Sequence, residues 1–102
     1  MKNLFIVHWG SASQDDDGNT KAYTGIHGVY SDIEKAKNAL IDCRDITYDE
    51  VVQSDDPEDL EENKRNTRVY GSIEEGFFEI DYLIGDIPCE IYITITIQQE
   101  DR

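Results

Sequence analysis

Between residues 76 and 98 the apolar side chains fall on every second position. Phe78, Ile80, Tyr82 and Ile84 alternate with polar or mixed neighbours, and beyond Gly85-Asp86 the alternation resumes with Ile87, Cys89, Ile91, Ile93, Ile95 and Ile97. A period of two gathers one set of side chains on one face of an extended chain, so the segment reads as a β-hairpin with a single apolar face. With Gly85-Asp86 as its two-residue loop, Ile84 faces Ile87, Tyr82 faces Cys89, Ile80 faces Ile91 and Phe78 faces Ile93. On the reverse face the same register sets Glu79 against Tyr92 and Asp81 against Glu90, and the second is a like-charge pair that weakens the ladder. One face supplies core; the other is acidic.

The rest of the 102 residues must cover that apolar face, and this length suits one domain, residues 1–102, with a modest core. No apolar run approaches the roughly 20 residues of a membrane span. Met1-Lys2-Asn3-Leu4-Phe5-Ile6-Val7 is too short for the core of a signal peptide and runs into His8-Trp9, so it reads as a strand of a soluble, cytoplasmic protein. Leu4 to Trp9 is apolar almost throughout, as in a strand buried on both faces and central in a sheet. It is expected to stop at Gly10, and residues 11–20, rich in Ser, Asp, Gly and Asn, to form a long mobile connection.

Residues 22–30 read as the second strand, paired with the first and interrupted by Gly25 and Gly28. At Ser31 the period changes to 3.6. Ser31 and Glu34 form a capping box, and Ile33, Ala36, Leu40 and Cys43 make one stripe, with Lys35, Lys37, Asn38 and Asp42 facing out. Thr47-Tyr48-Asp49-Glu50 offers a second capping box, and Asp56-Pro57-Glu58-Asp59 a third helix start with proline at the first helical position. Val69-Tyr70 has the composition of a short strand, and the last residues, 99–102, that of a frayed tail. The expected fold is α+β: a four-stranded, mainly antiparallel sheet in the order β-β-α-insert-β-β, one main helix on one face, and an acidic helical insert over residues 44–72.

Charge is the unusual property. The chain carries 23 acidic against 9 basic side chains, a formal net charge of −14, which opposes nucleic acid and anionic membrane and favours a basic partner. Residues 42–62 hold ten acids (Asp42, Asp45, Asp49, Glu50, Asp55, Asp56, Glu58, Asp59, Glu61, Glu62) and one base, Arg44, a net of −9. On a helix from Asp56 to Lys64, Asp55, Asp59 and Glu62 share one face and Glu58 and Glu61 the next, in rows about 5.4 Å apart. A phosphate backbone also presents closely spaced negative charge along a ridge, so this segment is a candidate nucleic-acid mimic for a basic cleft. The candidate binding residues are therefore Asp49, Glu50, Asp55, Asp56, Glu58, Asp59, Glu61 and Glu62, with Glu79, Asp81 and Glu90 as an extension. The bland alternative is a solvated acidic loop.

Other chemistry finds less support in the sequence. His8, His27, Cys43 and Cys89 are possible zinc donors, but none has the close spacing of a zinc motif, and two buried free thiols is the simpler reading. Asp15-Asp16-Asp17-Gly18-Asn19 departs from the Asp-x-Asp-x-Asp-Gly calcium spacing. There is no glycine-rich phosphate loop, no motif calls for a cofactor, and no convergent set of catalytic groups emerges, so the expectation is not an enzyme. A small-ligand or metal-binding module using the loop acids or the His and Cys set is one alternative. A homo-oligomer formed through sheet edges, with the outer face of Thr94 and Thr96 permitting it, is another.

Three stretches also carry a resemblance. The opening strand Leu4 to His8, the passage Gly28-Val29-Tyr30-Ser31-Asp32-Ile33-Glu34-Lys35-Ala36, and Gly76-Phe77-Phe78-Glu79-Ile80-Asp81 together resemble a family of small bacterial and phage α+β proteins. The resemblance implies the fold and supplies no catalytic residues. By size and acidity the chain is similar to phage anti-CRISPR and anti-restriction inhibitors, which implies a basic surface of a CRISPR effector or other nucleic-acid enzyme as partner.

Overall fold

A computed structural model describes residues 2–14 and 17–100. Seven elements follow in order: β1 (Lys2–Gln14), β2 (Thr20–Tyr30), α1 (Ile33–Val52), α2 (Pro57–Arg65), β3 (Arg68–Ser72), β4 (Phe77–Ile84) and β5 (Ile87–Glu100). The strands form one antiparallel sheet in the order β2-β1-β5-β4-β3. The class is α+β as expected, with five strands where four were counted and with two helices.

The β4–β5 hairpin has the register read from its alternation: Phe78 opposite Ile93, Ile80 opposite Ile91, Tyr82 opposite Cys89, Ile84 opposite Ile87, and on the other face Glu79 opposite Tyr92 and Asp81 opposite Glu90. Alternation also decides which side α1 covers. Val7, Phe78, Ile80 and Ile93 join Ala36, Ala39, Leu40 and Cys43 of the helix in one core, flanked by Phe5, Trp9, Tyr30, Tyr48, Tyr82, Ile91 and Ile95. The apolar stripe outruns the helix, however. Ile84 and Ile97, near opposite ends of the hairpin, are exposed because nothing packs over them.

Several local expectations are corrected. β1 continues past Gly10 to Gln14, since Ser11, Ala12 and Ser13 pair with β2 on one side and with β5 on the other. Two neighbouring ladders hold a Ser/Ala stretch whose own strand preference is low. β5 likewise runs to Glu100, so Gln99 belongs to the strand rather than to a frayed tail. Asp15 and Asp16 of the calcium-like stretch, and Asp101 and Arg102 of the tail, lie outside the described residues. The cap of α1 is Asp32, not Ser31: its carboxylate accepts the Glu34 N–H at 2.8 Å. The helix then runs unbroken through Thr47 to Val52, because Cys43, Thr47 and Tyr48 still face the sheet side and no breaker intervenes. The acidic insert therefore does not begin at residue 44; its first acids are the last turns of α1.

Val69-Tyr70 lies within a true strand, β3, at the sheet edge beside β4. Its Gly71 has φ +104°, and a Cβ there would sit 2.2 Å from the Phe77 carbonyl oxygen, so only glycine allows β3 to lie this close against β4 ahead of their turn at residues 73–76. The turn is tied to the sheet centre by Ile95 N–H and Thr94 Oγ1, both donating to the Gly76 carbonyl, at 2.9 and 3.1 Å.

Candidate partner-binding surface

α2 begins as its sequence predicts. Asp56 caps it, accepting the Glu58 N–H at 2.9 Å, and Pro57 takes the first position. Glu58 and Asp59 lie in the first turn and Lys64 and Arg65 in the last, an arrangement that the helix dipole favours. The helix has no buried residue, and it is fastened at its far end instead: the Asn63 side-chain amide donates to the Val52 carbonyl at 3.2 Å, and Thr67 Oγ1 donates to the Asn63 carbonyl at 2.6 Å. Thr67 is the buried anchor of this corner.

Asp49 and Glu50 on the last turns of α1, Asp55 and Asp56 in the link, and Glu58, Asp59, Glu61 and Glu62 on α2 are all exposed. Among the described residues the ion pairs join Lys37 to Glu34 and Arg44 to Asp45, and neither engages these acids. Glu58, Asp59, Glu61 and Glu62 line one open depression with Pro57 and Arg65. Asp55 precedes the cap, so it does not share a helical face with Asp59 and Glu62.

Glu79, Asp81 and Glu90 lie elsewhere. They alternate with Phe78, Ile80, Cys89 and Ile91, which face α1, so they occupy the opposite face of the sheet and form a cluster of their own. Tyr92 donates its hydroxyl to Glu90, and this bond together with the surrounding acids pushes the phenol pKa up to about 12. Asp81 Oδ1 is buried without a partner. Glu79 is held above the usual carboxylate range chiefly by a hydrogen bond to Asp81, then by burial and the charges of Asp81 and Glu90. The two observations fit together: two ionised carboxylates cannot bond, and only when Glu79 takes a proton can it donate to Asp81. Arg68 is directly across from Asp81 in the ladder, yet its guanidinium donates to the Arg65 carbonyl at 3.2 Å.

The His and Cys set is dispersed. His8 sits on the open face, its Nε2 2.6 Å from Thr96 Oγ1, whereas Cys43 belongs to the core on the other side. No group of three or more metal donors forms among the described residues. Burial pushes the Cys43 thiol up, against a hydrogen bond from Thr47, which leaves it a poor nucleophile. Cys43 and His27 do meet at a half-open groove between α1 and the sheet, about 380 Å³ in volume, with Trp9, Ser11, Ile46, Thr47, Glu50, Tyr82 and Ile91. One wall is seated by Gly25, where a Cβ would lie 2.6 Å from the Trp9 indole. The glycine-interrupted strand facing a lone tryptophan is the signal that sequence reading left unused.

Among the described residues no helix is long and apolar enough to cross a membrane. No family model matches the chain, and no match is found among curated proteins or solved structures.

Proposed function

We propose that this chain is a non-enzymatic acidic interaction protein that blocks a basic, nucleic-acid-binding surface of another protein, in the manner of phage anti-CRISPR or anti-restriction inhibitors. The observation that carries the reading is that Asp49, Glu50, Asp55, Glu58, Asp59, Glu61 and Glu62 stand exposed, without ion pairs among the described residues, around a helix that has no fully buried residue. A helix kept folded by caps and two hydrogen bonds, and spending its surface on carboxylates, suits a surface presented to a cationic partner. Asp56 belongs to the fold as well, through its cap. Glu79, Asp81 and Glu90 face away from α1, on the opposite side of the sheet. The test is capture of CRISPR effector nucleases and restriction enzymes by the tagged chain. Capture that falls as salt rises and on changing Glu58, Asp59, Glu61 and Glu62 to their amides supports the reading; capture indifferent to both counts against it.

A second reading is a small-ligand module, favoured by the groove that Trp9, Tyr82 and Glu50 line. Its volume is at the lower end of ligand pockets, and aromatic walls beside one carboxylate suit an aromatic amine. Titration with phenethylamine, followed by the emission of the chain's single tryptophan, decides it: a saturable change lost in Glu50→Gln supports the module, and no change removes it.

A further inference from the structure

The two sheet edges differ in length and regularity, two properties that govern pairing with another strand. β3 is short at five residues, carries Arg68 and is bent at Gly71. β2 is eleven residues long, has no proline, and among the described residues its outer edge has no strand neighbour. Its residues 20–24 are all exposed, as are Ile26 at 67% and Val29 at 52%, and Tyr23 reaches 62%. Natural edge strands are ordinarily blunted by charge, proline or a bulge. Here the single bulge is at His27, the residue left over between the Ile26–His8 and Gly28–Val7 pairs, and it leaves residues 20–26 as an uninterrupted run.

Charge also sets β2 apart from the acidic helices and from the acidic face of β4 and β5. In a chain of net charge −14, β1 and β2 contain no acid at all, and Lys2 and Lys21 are their formal charges. Any acid-lined approach between two such chains is repelled; approach along β2 brings no carboxylate opposite another in the strands, and β2 offers more than twice the length of the other acid-free edge, β3. We propose that two copies of this chain pair antiparallel through β2, edge to edge, joining their sheets across a two-fold axis. Centred on the bulge-free run, the pairing sets Tyr23 against Tyr23 of the partner subunit, an aromatic cross-strand pair at the axis, and Lys21 against Gly25 of the partner subunit. The occupant is a second copy because the edge is self-complementary and nearly uncharged, whereas a basic partner is drawn to the helices.

Sedimentation equilibrium of the full chain tests this over a range of concentration and salt. The expected mass rises from 11.7 kDa toward twice that value with concentration, and the association tightens as salt screens the mutual repulsion. Tyr23→Glu and Ile26→Lys, both at exposed side chains, are each expected to weaken it roughly tenfold or more, while Val69→Lys on the other edge leaves it unchanged. Two substitutions at separate positions keep the test intact if one perturbs folding, which circular dichroism reports. A monomer at every concentration and salt overturns the proposal, as does association that Val69→Lys abolishes and the β2 variants spare, or one that salt dissolves. The salt dependence is opposite in sign to that expected for capture of a basic partner, so failure of either idea is read separately.

Discussion

Asp81 is where the sequence and the fold are most at odds. Its place opposite Glu90 is dictated by the register that buries Ile80 and Ile91, so the like-charge pair is a consequence of making core on the other face. Asp81→Asn gives the buried, unpartnered oxygen position a group able to donate to Glu79 or Glu90, and it is expected to stabilise the fold by about 0.5 kcal/mol at neutral pH, measured by chemical denaturation. Glu79 has its folded pKa above the ordinary 4.5. In the window between those two values the native state binds more protons, so stability falls as pH rises through it and is greatest below it. Asp81→Asn should flatten that part of the pH profile, and a profile unchanged by the substitution would contradict the Glu79–Asp81 hydrogen bond. Glycines give a second residue-scale test. Gly71→Ala meets backbone at φ +104° and is expected to cost about 3 kcal/mol or more, whereas Gly25→Ala meets only the Trp9 side chain and should cost about 1–3 kcal/mol with a red shift of its emission.

Among the elements, α1 shows how far local signals reach. Two acceptable capping residues, Ser31 and Asp32, stand side by side, and a capping-box pattern at Thr47 mimics a fresh start. The structure decides both: Asp32 is the N-cap, its carboxylate accepting the Glu34 N–H, and the helix does not stop until the sheet-side contacts of its last turns are used. Asp32→Ala is therefore expected to cost about 1 kcal/mol, and Ser31→Ala to stay within about 0.5 kcal/mol, in thermal melts of the two variants. The hairpin was legible to the residue because its alternation, loop and register constrain one another. β1 beyond Gly10 was not, because Ser11, Ala12 and Ser13 are strand only through their two neighbours. β3 was visible as Val69-Tyr70 but short, and its membership of the sheet depends on a glycine conformation that sequence does not announce.

The whole molecule is electrically lopsided. Helical acids gather at one end of α1 and on α2, a second acidic cluster lies across the sheet, and the β1–β2 strands hold no acid. Positions of the acids along the chain, and the reverse face for Glu79, Asp81 and Glu90, were plain in the sequence; that Asp49 and Glu50 continue α1 while Glu58, Asp59, Glu61 and Glu62 stand on a separate helix was not, since α1 runs past the second capping-box pattern. The separation narrows the proposed surface to Asp49, Glu50 and the acids around α2. The most direct measurement is competition for a captured nuclease: the tagged chain holds a CRISPR effector or restriction enzyme, and increasing nucleic acid substrate is added. The account predicts that substrate and chain exclude one another, that capture weakens steeply with salt, and that amides at Glu58, Asp59, Glu61 and Glu62 abolish it while Glu79→Gln does not. Simultaneous binding of substrate and chain, or capture that depends on Glu79 and not on α2, would contradict it.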